Sequence, residues 1–274
     1  IDGSHYGQSC CGYAGWISSK LDVEIEVVYF TDLRQFEVPF VADLSGSLGL
    51  QPFQSVMGQL QELEKEKSEV ILAQAASQLK ESGYSNPVKK THKTGFLVDS
   101  LKELEEGTDM IIVGKRGENA NFATEHLGST MERMARAATK PSFVASREFK
   151  EVSRALISYD DGPSCRKAVD FVAESGMFSE AEIHLVTVSP NEEEEGSLKG
   201  LKNAEAILAD SGRSLTCQML HGEAAPIVID YVNAKEINLL VMGAYGHNRI
   251  HQLILGSSTT ELLQGCQIPT LLFR

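Results

Sequence analysis

Positive charge is scarce in this chain: 25 Lys and Arg stand against 38 Asp and Glu, for a formal net charge of −13. A field of that sign repels nucleic acid and anionic membrane, so neither is an expected partner. A phosphate-bearing ligand would have to be held by local geometry. Long apolar runs are missing too. No stretch approaches the roughly 20 residues that span a bilayer, and no secretory signal is expected. Cysteine is sparse and odd in number, at Cys10, Cys11, Cys165, Cys217 and Cys266. The spacing suits neither a metal site nor a disulfide framework, which points to reduced thiols and a cytoplasmic location. There is no G-x4-G-K-S/T, which excludes a P-loop NTPase, and no G-x-G-x-x-G after a strand, which disfavours an ordinary dinucleotide fold.

What is present is a repeat. The 274 residues are 42% apolar, enough to bury the cores of two ordinary domains. The apolar run Asp109–Gly114 is followed by Lys115, Arg116 and Gly117, and Asn238–Gly243 by Ala244, Tyr245 and Gly246. Each leads to a glycine with hydroxyls, Gly128-Ser129-Thr130 and Gly256-Ser257-Ser258. Each then enters a helical stretch and closes on a Pro-led apolar run, Pro141–Ala145 and Pro269–Phe273. Upstream, Ala155–Tyr159 reads as a buried strand ending at Asp160-Asp161-Gly162, with Asp2-Gly3-Ser4 as its counterpart. No strand precedes Asp2, so the first strand of the first copy is expected to be lost or left out. Helices at Pro163–Gly176 and strands at Glu182–Val188 and Glu24–Phe30 continue the match. Strands alternating with helices predict two α/β domains, 1–148 and 149–274. Each should be a five-stranded parallel sheet with helices on both faces, Rossmann-like in layout. The copies should pair through their final strands, Phe143–Ala145 and Leu271–Phe273, because open sheet edges invite pairing. They differ most at Arg34–Gly58, an apolar insertion, and at the acidic loop Asn191–Glu195, which reads as solvated.

The segment that carries chemistry is Gly243-x2-Gly246-x9-Gly256-Ser257-Ser258. Gly243 ends a strand, and ligands of open parallel sheets sit beyond the carboxyl ends of strands. Glycines admit the backbone to phosphate oxygens, and a helix start at Gly256 offers N–H groups and a positive dipole end. The bland alternative is a capped helix that needs no ligand. Ser258-x-x-Glu261 and Ser129-x-x-Glu132 both read as capping boxes, and Gly243 would then be only a turn. His247 and His251 stand four apart but in a loop, with no carboxylate to complete a metal site. His247 and Arg249 are better read as phosphate neighbours.

On these residues the chain resembles the universal stress protein family, over essentially its whole length and in tandem form. The glycine-serine spacing is that family's ATP-binding motif, and the second copy matches it in full. The resemblance implies ATP as ligand, with Mg or Mn on its phosphates, held by Gly243, Gly246, Gly256, Ser257 and Ser258. It further implies Asp160 near the adenosine, with Asp161 as the alternative, and Val188 at the adenine through its backbone. In the first copy Asp2, Phe30, Gly114, Gly117, Gly128, Ser129 and Thr130 take the corresponding places. There ten residues separate Gly117 from Gly128, not nine, so the resemblance implies nucleotide mainly in the second copy. Lys115 and Arg116 are candidates to offset the longer loop by contacting phosphate.

The leading reading is an ATP-binding stress-response or signalling module, with pairing of its own two copies expected and a homodimer of the whole chain left open. No residue is placed as a general base, which leaves slow hydrolysis at most. The alternative is a non-catalytic dimerisation scaffold with an empty pocket or another small ligand, which the intact motif disfavours. A phosphotransferase would need an acid–base group that the sequence does not show.

Overall fold

Runs of aliphatic and β-branched residues form the strands, and each is followed by a stretch of helical period, so β and α alternate along the chain. The computed structural model describes residues 1–36, 52–117, 127–190, 195–244 and 256–274. The first copy runs α1 (His5–Lys20), β1 (Glu26–Asp32), a 3-10 turn (Leu33–Phe36), α2 (Pro52–Glu81), β2 (Lys89–Gly95), α3 (Leu97–Glu105), β3 (Ile111–Gly114), α4 (Ser129–Ala137) and β4 (Ser142–Ala145). The second runs β5 (Arg154–Ser158), α5 (Pro163–Glu174), β6 (Glu182–Ser189), α6 (Glu195–Asp210), β7 (Leu215–His221), α7 (Ala224–Ala234), β8 (Leu239–Gly243), α8 (Ser257–Gly265) and β9 (Thr270–Phe273). Residues 37–51 of the insertion and 191–194 of the acidic loop lie outside the described residues.

Strands β9, β8, β5, β6 and β7 are parallel neighbours in that order, the five-stranded sheet that the alternation predicts. β4 pairs antiparallel with β9, Phe143 opposite Leu271, and β3 pairs parallel with β4. Seven strands therefore form one sheet, joined through the two final strands as the sequence predicts.

The first copy departs from a five-stranded sheet. β1 and β2 pair only with each other, Glu26 opposite Lys89 through Asp32 opposite Gly95. In the second copy β5 sits between β6 and β8. Among the described residues no strand takes that place between β1 and β3. Strands pair at about 4.8 Å, so two strands with an empty row between them cannot hydrogen-bond, and the first copy divides two and two. Ile1 stands against β1, its amino group donating to Val28 O at 2.7 Å.

The seven-stranded sheet has a core on each face, and the strand residues alternate between them. Ile157, Leu185, Val241, Leu271 and Phe143 pack with α1, α5 and α6. Leu156, Val186, Leu240, Leu272 and Val144 pack with α4, α7 and α8. Both cores contain residues of both copies. A third cluster, Val27, Tyr29, Leu72, Ala75 and Leu79, joins β1 to α2.

Candidate functional site

At the carboxyl end of β5 the chain turns through Asp160-Asp161-Gly162 into α5. Asp160 Oδ1 accepts a hydrogen bond from Gly162 N at 2.9 Å. Asp161 has φ 58, a left-handed conformation uncommon outside glycine. Its counterpart in the first copy is Gly3, with φ 78. Asp2 Oδ1 likewise accepts from the residue two places on, Ser4 N at 3.1 Å and Ser4 Oγ at 2.6 Å. The two turns therefore superpose Asp2 on Asp160 and Gly3 on Asp161. Asp161 faces α6: its Oδ1 accepts from Tyr159 OH at 2.7 Å and Arg166 Nε at 3.0 Å, and its carboxylate lies against Gly200. Asp160 stands close enough to Cys165 to add to the rise of that thiol to about 12, which burial dominates.

Gly243 ends β8 next to this turn. A Cβ there would lie 3.1 Å from Cys165 Sγ and from Ser164 Cβ, so the first turn of α5 packs directly on the glycine. Val188 is half-buried on β6 opposite Leu220. Gly256 is the N-cap of α8 and, having no side chain, supplies no cap hydrogen bond. Ser257 and Ser258 follow, both exposed. Thr259 Oγ1 donates to Ala244 O at 3.2 Å, fastening the helix start to the end of β8. The structure thus brings Asp160, Gly243, Gly256, Ser257 and Ser258 to one end of the sheet. Gly246, His247 and Arg249 lie outside the described residues.

The capping boxes are not formed. Gly256 and Gly128, not the serines, are the N-caps, and neither receives a side-chain cap. The tie from Thr259 to β8 sets the second helix to begin before Ser258, which leaves Ser258 inside the first turn. The serines are therefore not the caps, and neither N-cap residue supplies a side-chain hydrogen bond to its helix.

The first copy repeats the arrangement. Gly114 ends β3 over Tyr6, where a Cβ would lie 2.8 Å from Tyr6 Cβ. A Cβ on Gly117 would come within 2.7 Å of Asp2 Oδ2, so that glycine lies against the carboxylate. Gly128 N donates to Lys115 O at 3.0 Å, and Ser129 and Thr130 open α4, both exposed. Phe30 is half-buried on β1.

Lys115 does not serve phosphate. It is buried and donates through Nζ to Cys266 O, the C-cap of α8 in the other copy. Burial lowers its pKa to about 8. Sequence reading also missed an ion cluster at the mouth of the first copy. Asp32, at the end of β1, accepts from Arg34 Nη2 at 2.5 Å and from Arg133 Nη1 of α4 at 3.0 Å. Burial alone would raise the Asp32 carboxyl. The hydrogen bonds and charge of Arg34, and the charge of Arg133, hold it below its ordinary value instead. The second copy has Glu261 in place of Arg133. No spacing signal marks this cluster, because its members come together only when β1 and α4 do.

Comparison with known proteins places the chain among relatives. The model of the universal stress protein family matches it twice, over residues 1–146 and 151–274. A universal stress protein of Synechocystis sp. is 38% identical over 280 residues, covering 100% of this chain and 97% of the relative. A universal stress protein of Bacillus subtilis is 28% identical over 91 residues, covering 33% of this chain and 62% of the relative. Among solved structures, a universal stress protein of Archaeoglobus fulgidus superposes with TM-score 0.74 at 19% identity, covering 99% of this chain and 95% of that one.

Proposed function

From the premise that this chain belongs to the universal stress protein family, we propose that it is a nucleotide-binding stress-response module that holds ATP mainly in its second copy. The observation that carries this reading is the start of α8. A glycine N-cap, which has no side chain to close the helix start, is followed by two exposed serines, beside a strand that ends in glycine. Helix-start N–H groups and a positive dipole end suit a phosphate, and the absent side chain at Gly243 lets the first turn of α5 close on the strand end beside them. Asp160, already oriented by Gly162 N, stands at the same strand ends for the nucleoside. Among the described residues no group of His, Cys, Asp and Glu could hold a metal by itself. Mg or Mn would therefore ride on the phosphates.

Two features support the ranking of the copies. Lys115, one of the two cations that precede the longer loop of the first copy, is committed to Cys266 O. The Asp32–Arg133 pair ties β1 to the helix that opens at Ser129.

Calorimetric titration of the whole chain with MgATP tests the proposal. One tight site is expected. Gly256→Val should weaken it about tenfold to a hundredfold, the loss of one charge-assisted bond. Among the described residues a Cβ at Gly256 meets only Thr259 Oγ1, at 3.6 Å, so the fold should tolerate the change. Unchanged affinity in a folded Gly256→Val protein refutes the assignment. Two equal sites in the wild type refute the ranking.

A further inference from the structure

The turns after α2 and α6 are one piece of sequence used twice, Glu81-Ser82-Gly83-Tyr84-Ser85 and Asp210-Ser211-Gly212-Arg213-Ser214. Their geometry repeats as well. Ser82 Oγ donates to Leu79 O at 2.7 Å and Ser211 Oγ to Leu208 O at 2.5 Å. Gly83 and Gly212 both have positive φ, 95 and 71. The next side chain differs. Arg213 reaches to the C-terminal end of α5, where its guanidinium donates to Ala173 O at 2.5 Å and Ser175 O at 2.8 Å. A cation in that place complements the partial negative charge of a helix C-terminus. Tyr84 does nothing of the kind. Its hydroxyl accepts from Ile25 N at 2.9 Å and donates to Val23 O at 3.2 Å, at the entry to β1. A cleft of about 210 Å³ stays open between the ends of α1 and α2.

Ser85 and Asn86 line the cleft and can donate, but the groups at the two helix ends are acceptors. The hydroxyl protons of Ser18, Ser19 and Ser82 are committed to Gly15 O, Trp16 O and Leu79 O. These serines therefore offer only lone pairs. Asp22 adds a carboxylate at the rim, and two helix C-termini converge there. Lys20, at the end of α1, is drawn off to Glu180 at 2.5 Å. The cleft is large enough for an organic cation. A water occupies about 30 Å³, so the cleft has room for several, far more than a bare metal ion fills.

We propose that this cleft is a binding site for a free small molecule bearing a guanidinium group, which would do at α1 and α2 what Arg213 does within the chain at α5. It is separate from the nucleotide site and does not depend on that assignment. Calorimetric titration with agmatine at low ionic strength, with and without saturating MgATP, tests it. One saturable site is expected, insensitive to the nucleotide. Asp22→Asn should weaken it about two- to fivefold, the range of a solvent-exposed ion pair. Tyr84→Arg should abolish it by placing a built-in guanidinium in the cleft. The proposal is overturned if the wild type shows no saturable binding, or if a folded Tyr84→Arg protein binds as the wild type does. Asp22 is exposed, so Asp22→Asn serves even if the tyrosine variant does not fold, and unchanged affinity there overturns the proposal as well.

Discussion

Lys115 shows how one residue changes meaning once its surroundings are known. In the sequence it is a cation beside a candidate phosphate loop. In the structure it is 5% exposed and bound to a carbonyl 151 positions away. Its pKa, about 10.4 in an unfolded chain, falls to about 8 through burial. Between those values the unfolded chain holds a proton that the folded chain has released, so this group's contribution to stability rises with pH from about 8 to 10.4. Buried thiols act in the opposite sense. Burial raises Cys10 and Cys165 to about 12 and Cys217 and Cys266 to about 11, so their contribution falls as pH rises past their ordinary range. Comparison with Lys115→Met isolates the lysine. In urea unfolding the wild type should gain stability relative to the variant between pH 8 and 10.4. A constant difference across that window would mean that the buried amine keeps its proton.

At the scale of the element, the two copies finish the same helix differently. After α3 the chain leaves the helix through Gly107, with φ 75, and after α7 through Glu236, with φ 52. The second exit is completed by Ile237 N donating to Val232 O at 3.0 Å, the bond of a Schellman turn, whose left-handed position favours glycine. A residue with a Cβ costs about 1–2 kcal/mol in that conformation. Against this, Glu236 pairs with Arg154 at 3.0 Å on an 84% exposed side chain, a contact worth at most about 1 kcal/mol. Glycine also loses more backbone freedom on folding. Glu236→Gly should therefore stabilise by about 0.5 kcal/mol, read as a small upward shift in Tm. A drop in Tm would show that the Arg154 pair outweighs the backbone strain.

For the molecule as a whole, the junction of β4 with β9 is decisive. Phe143 is fully buried there, opposite Leu271 and 4.9 Å from the Tyr13 ring of α1. Because both cores cross this junction, the two copies should unfold as one unit. Phe143→Ala should cost about 3–5 kcal/mol and lower the urea midpoint of both copies together. Two separate transitions, only one of them shifted, would show instead that the copies are energetically independent. The same pairing occupies the final-strand edges, so a homodimer of the whole chain would have to use another surface. Among the described residues no helix is long and apolar enough to cross a membrane.

The sequence alone determined the repeat, the alternation of strand and helix, the pairing of the final strands and the placement of glycine at two strand ends. Each is written in local spacing: apolar runs of strand length, helical periodicity, and glycine where a strand gives way to a loop. The tertiary structure set Asp160 and Asp161 apart, because Tyr159, Arg166 and Gly200 fix the second carboxylate against α6. It also moved the helix caps from Ser258 and Ser129 to glycines, through contacts with the strand ends that precede them. It sent Lys115 into the interface between the copies. It left β1 and β2 as a pair apart, because strands join a sheet only through a hydrogen-bonded neighbour, and which strand lies beside which is a property of the folded chain.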